Sequence, residues 1–527
     1  MTRGFLTFAM LCIPAIGATA AEPLHRQIDA LIAASAKGKP ASANSSDGEF
    51  LRRVYLDVAG RIPSVEEART FLHDISTDKR ARLIERLLSG PEYPRRMQEQ
   101  LHTMLMERLG DNADWSKYLL RCFEQNKPWD VMTREILSGT SEPRAKGAAF
   151  FLSKRLEHYG ENPVDYPALT RDIGRLFLGV NLQCAQCHDH LFISDYKQAD
   201  FQGLLAFVQN VSTPGGTPPR IIEKPTTKKL AFASVFDKVQ KETGPRLPGM
   251  KEVPIPSFKP GEEWATKPEP KKKMPGTLQF STLAKLAEQM TDPQNTAFAH
   301  NFANRLWYLL MGRGLVHPLD LRHGDNPSSH PELLDLLARE AVAQKYDIKS
   351  LLREIALSQT YQRSSILPPG QTTIDEATFL TAHEKRLSAE QLLWSVLEAT
   401  GEKERLTKTK GGIEVLKTKF VKAFANAARE PEEEFAPALR SALFLLNDPA
   451  LLDLLKPRPG NLVGRASKMT DDQALDELYL ATRTRRPAAE EKAASLRYLT
   501  ANAGRREAAL GHLAWALLAS TEFCLNH

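Results

Sequence analysis

The sequence predicts a mainly α protein with two helical domains joined by a proline-rich, partly extended arm that contains short strands. Three observations predict this class: apolar residues recur at helical spacing through most of the chain, several helical segments begin with capping boxes, and prolines concentrate between residues 214 and 276. The 527 residues are 42% hydrophobic and 25% charged, which is typical of globular domains. This composition excludes collagen-like, wholly disordered and disulfide-dense classes.

Residues 1–20 predict a secretory signal peptide. Arg3 precedes a short apolar run, and Ala18-Thr19-Ala20 supplies the small residues of a cleavage site. The run is too short to cross a bilayer, and no later stretch reaches about 18 consecutive apolar residues. We therefore expect an exported protein, periplasmic or extracellular, with no transmembrane segment in the mature chain.

The first helical domain is predicted at residues 49–213, after an N-terminal segment and linker at residues 21–48. The small polar residues of the linker predict a mobile stretch. Apolar spacing then predicts a helix over 94–109 and another over 166–178, which leads directly into a pair of cysteines.

The arm is predicted at residues 214–276 and carries 12 of the 34 prolines in the chain. Proline breaks helices and favours extended backbone, and the apolar run 230–236 predicts a strand within the arm. The helical pattern returns over 277–527, the predicted C-terminal domain. There, capping boxes are expected at Ser329, Ser388 and Thr470.

The strongest chemical signal is Cys184-Ala185-Gln186-Cys187-His188, the signature for covalent attachment of c-type haem. Two thiols at this spacing can reach the two vinyl groups on one edge of a porphyrin, while the adjacent imidazole reaches the iron. The pattern predicts Cys184 and Cys187 as thioether anchors and His188 as the iron ligand.

Two other uses of the same residues remain open. Asp189 and His190 follow directly, so Cys184, Cys187, His188 and His190 form a candidate zinc set. In an exported protein the two thiols are also candidates for a disulfide or a redox-active dithiol. Cys122 and Cys524 are expected to be isolated, buried small hydrophobes.

A sixth iron ligand would come from a distant segment, unless the iron is five-coordinate. The sequence offers one methionine in a proline-rich setting and four histidines in one stretch. These candidates are Met250, His300, His317, His323 and His330.

Other function classes find little support. The chain has 70 basic and 64 acidic residues in a mixed order, which does not indicate a nucleic-acid partner. It lacks the G-x-S-x-G, H-E-x-x-H and P-loop spacings, so whether it is an enzyme stays open. A hydrolytic site would have to use the polar residues Asp320, Arg322, His323, Asp325 and His330.

Longer motifs carry a resemblance to a known family. Leu51-Arg52-Arg53-Val54-Tyr55-Leu56-Asp57-Val58-Ala59-Gly60-Arg61-Ile62-Pro63-Ser64, together with the stretch 177–190 around the cysteines, resembles the planctomycete-type cytochrome-like domain of unknown function 1549. The second half resembles its usual companion, domain of unknown function 1553, in Asn304-Arg305-Leu306-Trp307 and in the stretch 326–334.

The resemblance implies a cytochrome-like protein whose activity is not established. Relatives tend to have proline after the second histidine, where this chain has Leu191. The resulting expectation is an exported haem c protein that exchanges electrons with an envelope or other redox partner. The alternative is a zinc-stabilised helical scaffold that binds a partner protein or a polysaccharide.

Overall fold

The computed structural model describes residues 22–140, 142–157, 164–213, 219–269, 271, 276–431 and 439–527, and within them the protein is mainly α, as predicted. The predicted signal peptide lies outside the described residues, as do 214–218, Pro270 and 272–275 of the predicted arm. In the described ranges, none of the helices combines the length and the apolar character that crossing a membrane requires.

The helices of the first half are α1 Leu24–Ser35, α2 Asp47–Val54, α3 Val65–His73, α4 Lys79–Leu88, α5 Glu92–Met106, α6 Ala113–Glu124, α7 Trp129–Ser138, α8 Phe150–Arg155, α9 Tyr166–Ile173 and α10 Gln198–Val208. Two of them, α2 and α9, continue into a turn of π-helix, at Tyr55–Ala59 and at Gly174–Leu178. The helix predicted over 166–178 is therefore confirmed, with a change of helix type in its last five residues.

The helices of the second half are α11 Thr282–Met290, α12 Thr296–Met311, α13 Pro331–Ala343, α14 Ile348–Leu357, α15 Ala389–Thr400, α16 Lys403–Lys408, α17 Gly412–Phe424, α18 Leu439–Asn447, α19 Pro449–Asp453, α20 Leu462–Ala466, α21 Asp471–Arg483, α22 Ala489–Ala501, α23 Arg506–Leu518 and α24 Thr521–Cys524. The expected capping boxes at Ser388 and Thr470 are confirmed.

The capping box expected at Ser329 is wrong. Helix α13 begins at Pro331 with His330 at the N-cap position, and no side chain caps it. Proline favours the first helical position, where its missing N–H costs nothing, and this moves the N-cap from Ser329 to His330. The Ser329 hydroxyl instead contacts His330 Nδ1 at 3.0 Å.

Four short antiparallel strand pairs are described, three of them in the arm or at its borders and the fourth near the C-terminus of the chain. The pairs are β1 Val211–Ser212 with β2 Ile222–Glu223, β3 Leu230–Ala233 with β4 Gln240–Thr243, β5 Trp264–Thr266 with β6 Thr277–Leu278, and β7 Lys385–Arg386 with β8 Leu525–Asn526. The strand expected over 230–236 is β3, which ends at Ala233 because the chain turns there into a hairpin.

The hydrophobic cores divide the chain later than the predicted boundary at 277. Apart from Leu480, the first core takes residues from Leu24 to Leu380 and so includes α11 to α14. Apart from Leu56 and Ile62, the second core takes residues from Leu387 to Phe523. Helices α11, α13 and α14 explain the difference, because α11 packs on α7, α13 packs on α1, and α14 packs on α1 and α4, and the largely buried α12 packs on α13 and α14. The end of the arm is therefore not the end of the first core.

The segment expected to be a mobile linker is fixed to the rest of the protein. Helix α1 buries Ile28 and Ile32 in the first core. After it, Ser42 N–H donates to the Leu380 carbonyl and Ser45 N–H donates to the Gln362 carbonyl, both at 2.8 Å. Both serines are buried, so the small side chains of this stretch allow close packing rather than mobility.

The motif at 51–64 joins the two cores. Arg52 is fully buried, and its guanidinium donates to main-chain carbonyls of the second half, at Thr482, Glu522, Phe523 and Leu525. Arg53 donates to the carbonyls of Tyr361 and Arg363. A guanidinium has several fixed donors, so each arginine satisfies carbonyls that would otherwise be buried without partners.

Candidate functional site

The cysteine loop, residues 179–196, begins where the second π-helix ends at Gly179. This glycine has a φ of 69°, and a Cβ on it would lie 3.0 Å from Asn301 Oδ1 and 3.1 Å from the Leu319 carbonyl oxygen. A left-handed backbone and this close approach both require glycine. The chain then enters a short 3₁₀ turn, Cys184–Gln186, which contains the first cysteine.

The backbone of the cysteine loop is held on several sides. Ala185 is fully buried beneath it. Gln202 Nε2 donates to the Gln186 carbonyl at 3.0 Å, and Arg171 Nη1 donates to Gln186 Oε1 at 2.8 Å. The Cys187 carbonyl accepts from Val235 N–H at 3.1 Å, which ties the loop to the β3–β4 hairpin. The loop is therefore pre-organised, as a ligand-binding segment requires.

The side chains of the two cysteines, unlike the backbone of the loop, are free thiols and are exposed to solvent. Cys184 and Cys187 are both exposed and free, whereas Cys122 is buried and Cys524 is half-buried. Burial raises the pKa of Cys122 to about 11, so that thiol stays neutral. Among the cysteines that the structure describes, Cys184 and Cys187 are the most accessible to a reactant in solvent.

Hydrogen bonds assign opposite roles to the two histidines of the loop. His188 Nδ1 lies 2.6 Å from the Asp189 carbonyl oxygen, which can only accept, so Nδ1 carries a proton and, in the neutral ring, Nε2 keeps its lone pair. His190 Nδ1 instead accepts from the N–H groups of Phe192 and Ile193, at 3.2 and 2.9 Å. In neutral His190 the proton is therefore on Nε2. A metal-bound histidine typically donates its other ring N–H to a carbonyl, and His188 has this arrangement.

Five large apolar side chains of the cysteine loop and the β3–β4 hairpin are exposed to solvent. They are Leu191 and Phe192 from the loop and Val235, Phe236 and Val239 from the hairpin, with exposed fractions of 53% to 86%. The Phe236 ring lies 4.7 Å from the His188 ring, and the Phe192 ring lies 6.4 Å from the His190 ring, both measured between centroids. We call these five residues the apolar rim. Exposed apolar side chains that lie together are typical of binding surfaces.

The predicted zinc set does not come together. Across the ranges that the structure describes, no three His, Cys, Asp or Glu side chains are grouped so that they would hold a metal ion. His190 is also engaged through Nδ1 in holding the loop. Cys184, Cys187 and His188 are the residues of the set whose ligating atoms are left available.

Of the candidates for a sixth iron ligand, His323 contacts the cysteine loop. Its ring packs edge-on against Tyr196 at 5.7 Å, and Tyr196 packs against His190 at 6.0 Å. His300 is bonded to Asp335 and His330 to Ser35. Met250 packs against the first core, and the His317 carbonyl accepts from Asn326 Nδ2 at 3.4 Å.

The polar residues considered for a hydrolytic site engage different partners. Asp320 accepts from Arg175 and Arg305, and the main chain of Arg322 bonds to Gly179. His330 faces α1, and burial lowers its pKa. These contacts build the interface between the two halves of the chain rather than a catalytic constellation.

Sequence reasoning missed the contribution of the hairpin to the site. Phe236 was expected in a strand, but it lies in the β3–β4 turn beside His188. A usable signal was present, because Val235, Phe236 and Val239 are a cluster of apolar residues within an otherwise polar and proline-rich segment.

Family comparisons match the two halves in order. Residues 27–213 match PSCyt2, a protein of unknown function (DUF1549), and residues 283–434 match PSD1, a protein of unknown function (DUF1553). The chain belongs to this two-domain family. The PSCyt2 match contains the whole motif at 51–64 and the cysteine loop, and it starts within α1. No curated protein and no solved structure matches the chain.

Proposed function

We propose that this PSCyt2–PSD1 protein is exported and binds one c-type haem covalently at the cysteine loop, for electron transfer or related redox chemistry with a partner protein. Cys184 and Cys187 would form the thioether bonds and His188 would bind the iron. When bound, such a haem supplies a one-electron redox centre. The predicted signal peptide supports export. Export in turn is compatible with a c-type haem, because thioether attachment of haem takes place outside the cytoplasm.

The observation that carries the proposal is the hydrogen bond from His188 Nδ1 to the Asp189 carbonyl. It leaves the Nε2 lone pair available and fixes the ring against the loop backbone. The same bond would be absent if His188 had the tautomer of His190. The cysteine loop therefore distinguishes between its two histidines, as binding of one iron through one imidazole requires.

The apolar rim supports the same proposal. A porphyrin presents a wide apolar face, and the largest side chains of the rim, Phe192 and Phe236, are 86% and 66% exposed. Burial of apolar surface stabilises a complex by about 25 cal/mol per Å². A ligand that covered the rim would remove an exposed apolar patch that is otherwise unfavourable in water.

The test is to express the full chain together with the haem-attachment machinery and to measure the intact mass of the denatured protein. We expect a mass increase equal to one haem in the wild type, none in the double variant Cys184→Ser/Cys187→Ser, and an unchanged increase in Cys524→Ser. The last variant controls for loss of any thiol.

Elemental analysis of the same samples separates the alternative function. Stoichiometric zinc in a wild-type protein without haem, lost on Cys184→Ser, would replace the haem proposal with the zinc-stabilised scaffold. A wild type with neither haem nor zinc, or with haem attached despite loss of both cysteines, would also contradict the proposal.

A further inference from the structure

A second candidate site, whose lining includes no residue of the cysteine loop, is a cavity of about 370 Å³ between the two halves of the chain. The cavity is lined by α5, α12 and the segment 384–391. Its volume is within the range of about 300–1,000 Å³ that is usual for small-molecule pockets. The exposed residue Glu384 is part of the lining, so the cavity reaches solvent there.

Both π-helical turns contribute to this cavity. Asp57 comes from the first turn and Arg175 and Leu176 from the second. A π-turn is less stable than α-helix and is found frequently at functional sites. Both described turns of this type border the same cavity, which supports a functional role for the cavity apart from the charges that line it.

Arg96 is the unusual residue of the lining. It is 4% exposed, and its Nη1 atom is buried without a hydrogen-bond partner in the part of the chain that the structure describes. Its Nε donates only a long bond, of 3.4 Å, to the Asp57 carbonyl. The side chain packs closely against the backbone of Gly60, where a Cβ would lie 2.7 Å from Arg96 Cδ.

Among the described residues, no direct ion pair balances the charge of Arg96. Each buried carboxylate of the lining already pairs with another cation: Asp57 with Lys385, Glu99 with Arg95, Glu107 with Arg175 and Glu390 with Arg108, at 2.6 to 3.0 Å. In keeping with this, burial lowers the pKa of Arg96 despite the more distant carboxylates. A buried charge without a direct partner is costly.

The rest of the lining is largely apolar and includes Met97, Leu101, Phe302 and Leu306. A buried arginine without a described ion-pair partner, set among such side chains, suits a ligand with a negatively charged head and an apolar body. The planar guanidinium matches a carboxylate, which can accept two parallel N–H bonds from it.

We propose that this cavity binds an organic monocarboxylate, with its carboxylate on Arg96 and its apolar body along α5 and α12. The ligand supplies the ion-pair partner that Arg96 lacks among the described residues. This site does not depend on the cysteines, so it stands or falls separately from the haem.

The test is calorimetric titration of the purified full chain with octanoate, with 1-octanol as the neutral control of equal length. We expect saturable binding of octanoate and at most weak binding of 1-octanol. Arg96→Gln should weaken octanoate binding about tenfold or more, because it removes a charge-assisted pair. Arg82→Gln, at an exposed arginine, should leave binding unchanged.

Thermal unfolding of the free variants gives a readout that a merely structural arginine would not give. Removal of an unpaired buried charge should leave the Tm of Arg96→Gln equal to that of the wild type or higher. If the variant does not fold, Met104→Trp, which fills the cavity and keeps Arg96, should abolish octanoate binding instead. Equal binding of octanoate and 1-octanol, or no octanoate binding by the wild type, would overturn the proposal. Full octanoate binding by both Arg96→Gln and Met104→Trp would also overturn it.

Discussion

The two π-helical turns are built alike, but the segments around them treat their polar groups in opposite ways. Each turn ends at a left-handed glycine, Gly60 or Gly179, with φ values of 70° and 69°. At the first turn, the buried Asp57 accepts hydrogen bonds from Tyr361, Lys385 and Asn526 at 2.6 to 2.8 Å. Beyond the second turn, two thiols and the apolar rim face solvent.

The difference separates the part of the family motif that builds the fold from the part that is left for a ligand. The Asp57 carboxylate helps to join the two cores, because its three donors, Tyr361, Lys385 and Asn526, all come from the second half of the chain. The cysteine loop has a backbone that is also held by hydrogen bonds, but its two thiols are free and exposed. A binding site requires a loop whose backbone is fixed and whose binding side chains are available.

The largest effect is expected for Asp57→Ala. Lys385 and Asn526 would lose their carboxylate partner inside the protein, and breaking a buried ion pair costs about 3–5 kcal/mol. Urea denaturation of the free protein measures the loss. Asp78→Ala, at an exposed aspartate, is the control and should change stability little. A small effect of Asp57→Ala would mean that the first turn is not the junction of the two cores.

The second effect is a pH dependence at Glu390, which joins α15 to Arg108. Burial alone would raise the pKa of this carboxyl, but hydrogen bonds and the charge of Arg108 outweigh it and hold the pKa at about 2. The pair therefore stabilises the protein above the usual carboxyl pKa, by about 3 kcal/mol, and this contribution is lost as the pH falls from about 5 to 2.

The variant Glu390→Gln isolates this contribution from that of other carboxylates. We expect the difference in unfolding free energy between wild type and variant to be largest near neutral pH and to shrink toward pH 2. A difference that stays constant across this range would show that the ion pair is not its source.

A third, intermediate effect is expected for Gly179→Ala. Alanine in a left-handed conformation costs about 1–2 kcal/mol, and the contacts with Asn301 and Leu319 add crowding. Gly370→Ala is the matched control, because its φ is 79° but no described atom lies within 4 Å of the new Cβ. Thermal unfolding should show the larger loss for Gly179→Ala. Equal losses would indicate that the entry to the cysteine loop is not tightly packed.

The smallest effect on stability separates the two histidines. His190→Ala removes the acceptor for two N–H groups and should cost about 1 kcal/mol, because each such bond contributes modestly in a half-exposed loop. His188→Ala should leave the stability of the haem-free protein nearly unchanged. Chemical denaturation of both variants checks this order, and the reverse order would contradict the roles assigned from their hydrogen bonds.

Much of this arrangement follows from local sequence. The helix leading to the cysteines, the capping boxes at Ser388 and Thr470 and the strand at 230 depend on nearest neighbours, and they were predicted. The cysteine and histidine spacing was also visible, because it is a contiguous motif.

The remaining features depend on contacts between distant residues. Helix α12 joins the first core, Phe236 meets His188 and Arg96 lacks a partner only because segments far apart in the sequence fold together. The mobile linker was mispredicted for the same reason, since Ser42 and Ser45 are held by carbonyls more than 300 residues away. The roles of His188 and His190 could not be separated before their hydrogen bonds were known.

The central claim is that the cysteine loop carries a haem held by two thioether bonds and by His188. The most direct measurement is the absorption spectrum of the exported protein in alkaline pyridine, which reports how many porphyrin vinyl groups have been converted to thioethers. The account predicts the band of a haem with two thioether bonds in the wild type, a shifted band in Cys184→Ser, and no haem band in the double cysteine variant. A wild-type protein that folds, is exported from cells that contain the haem-attachment machinery and gives no haem band would contradict it.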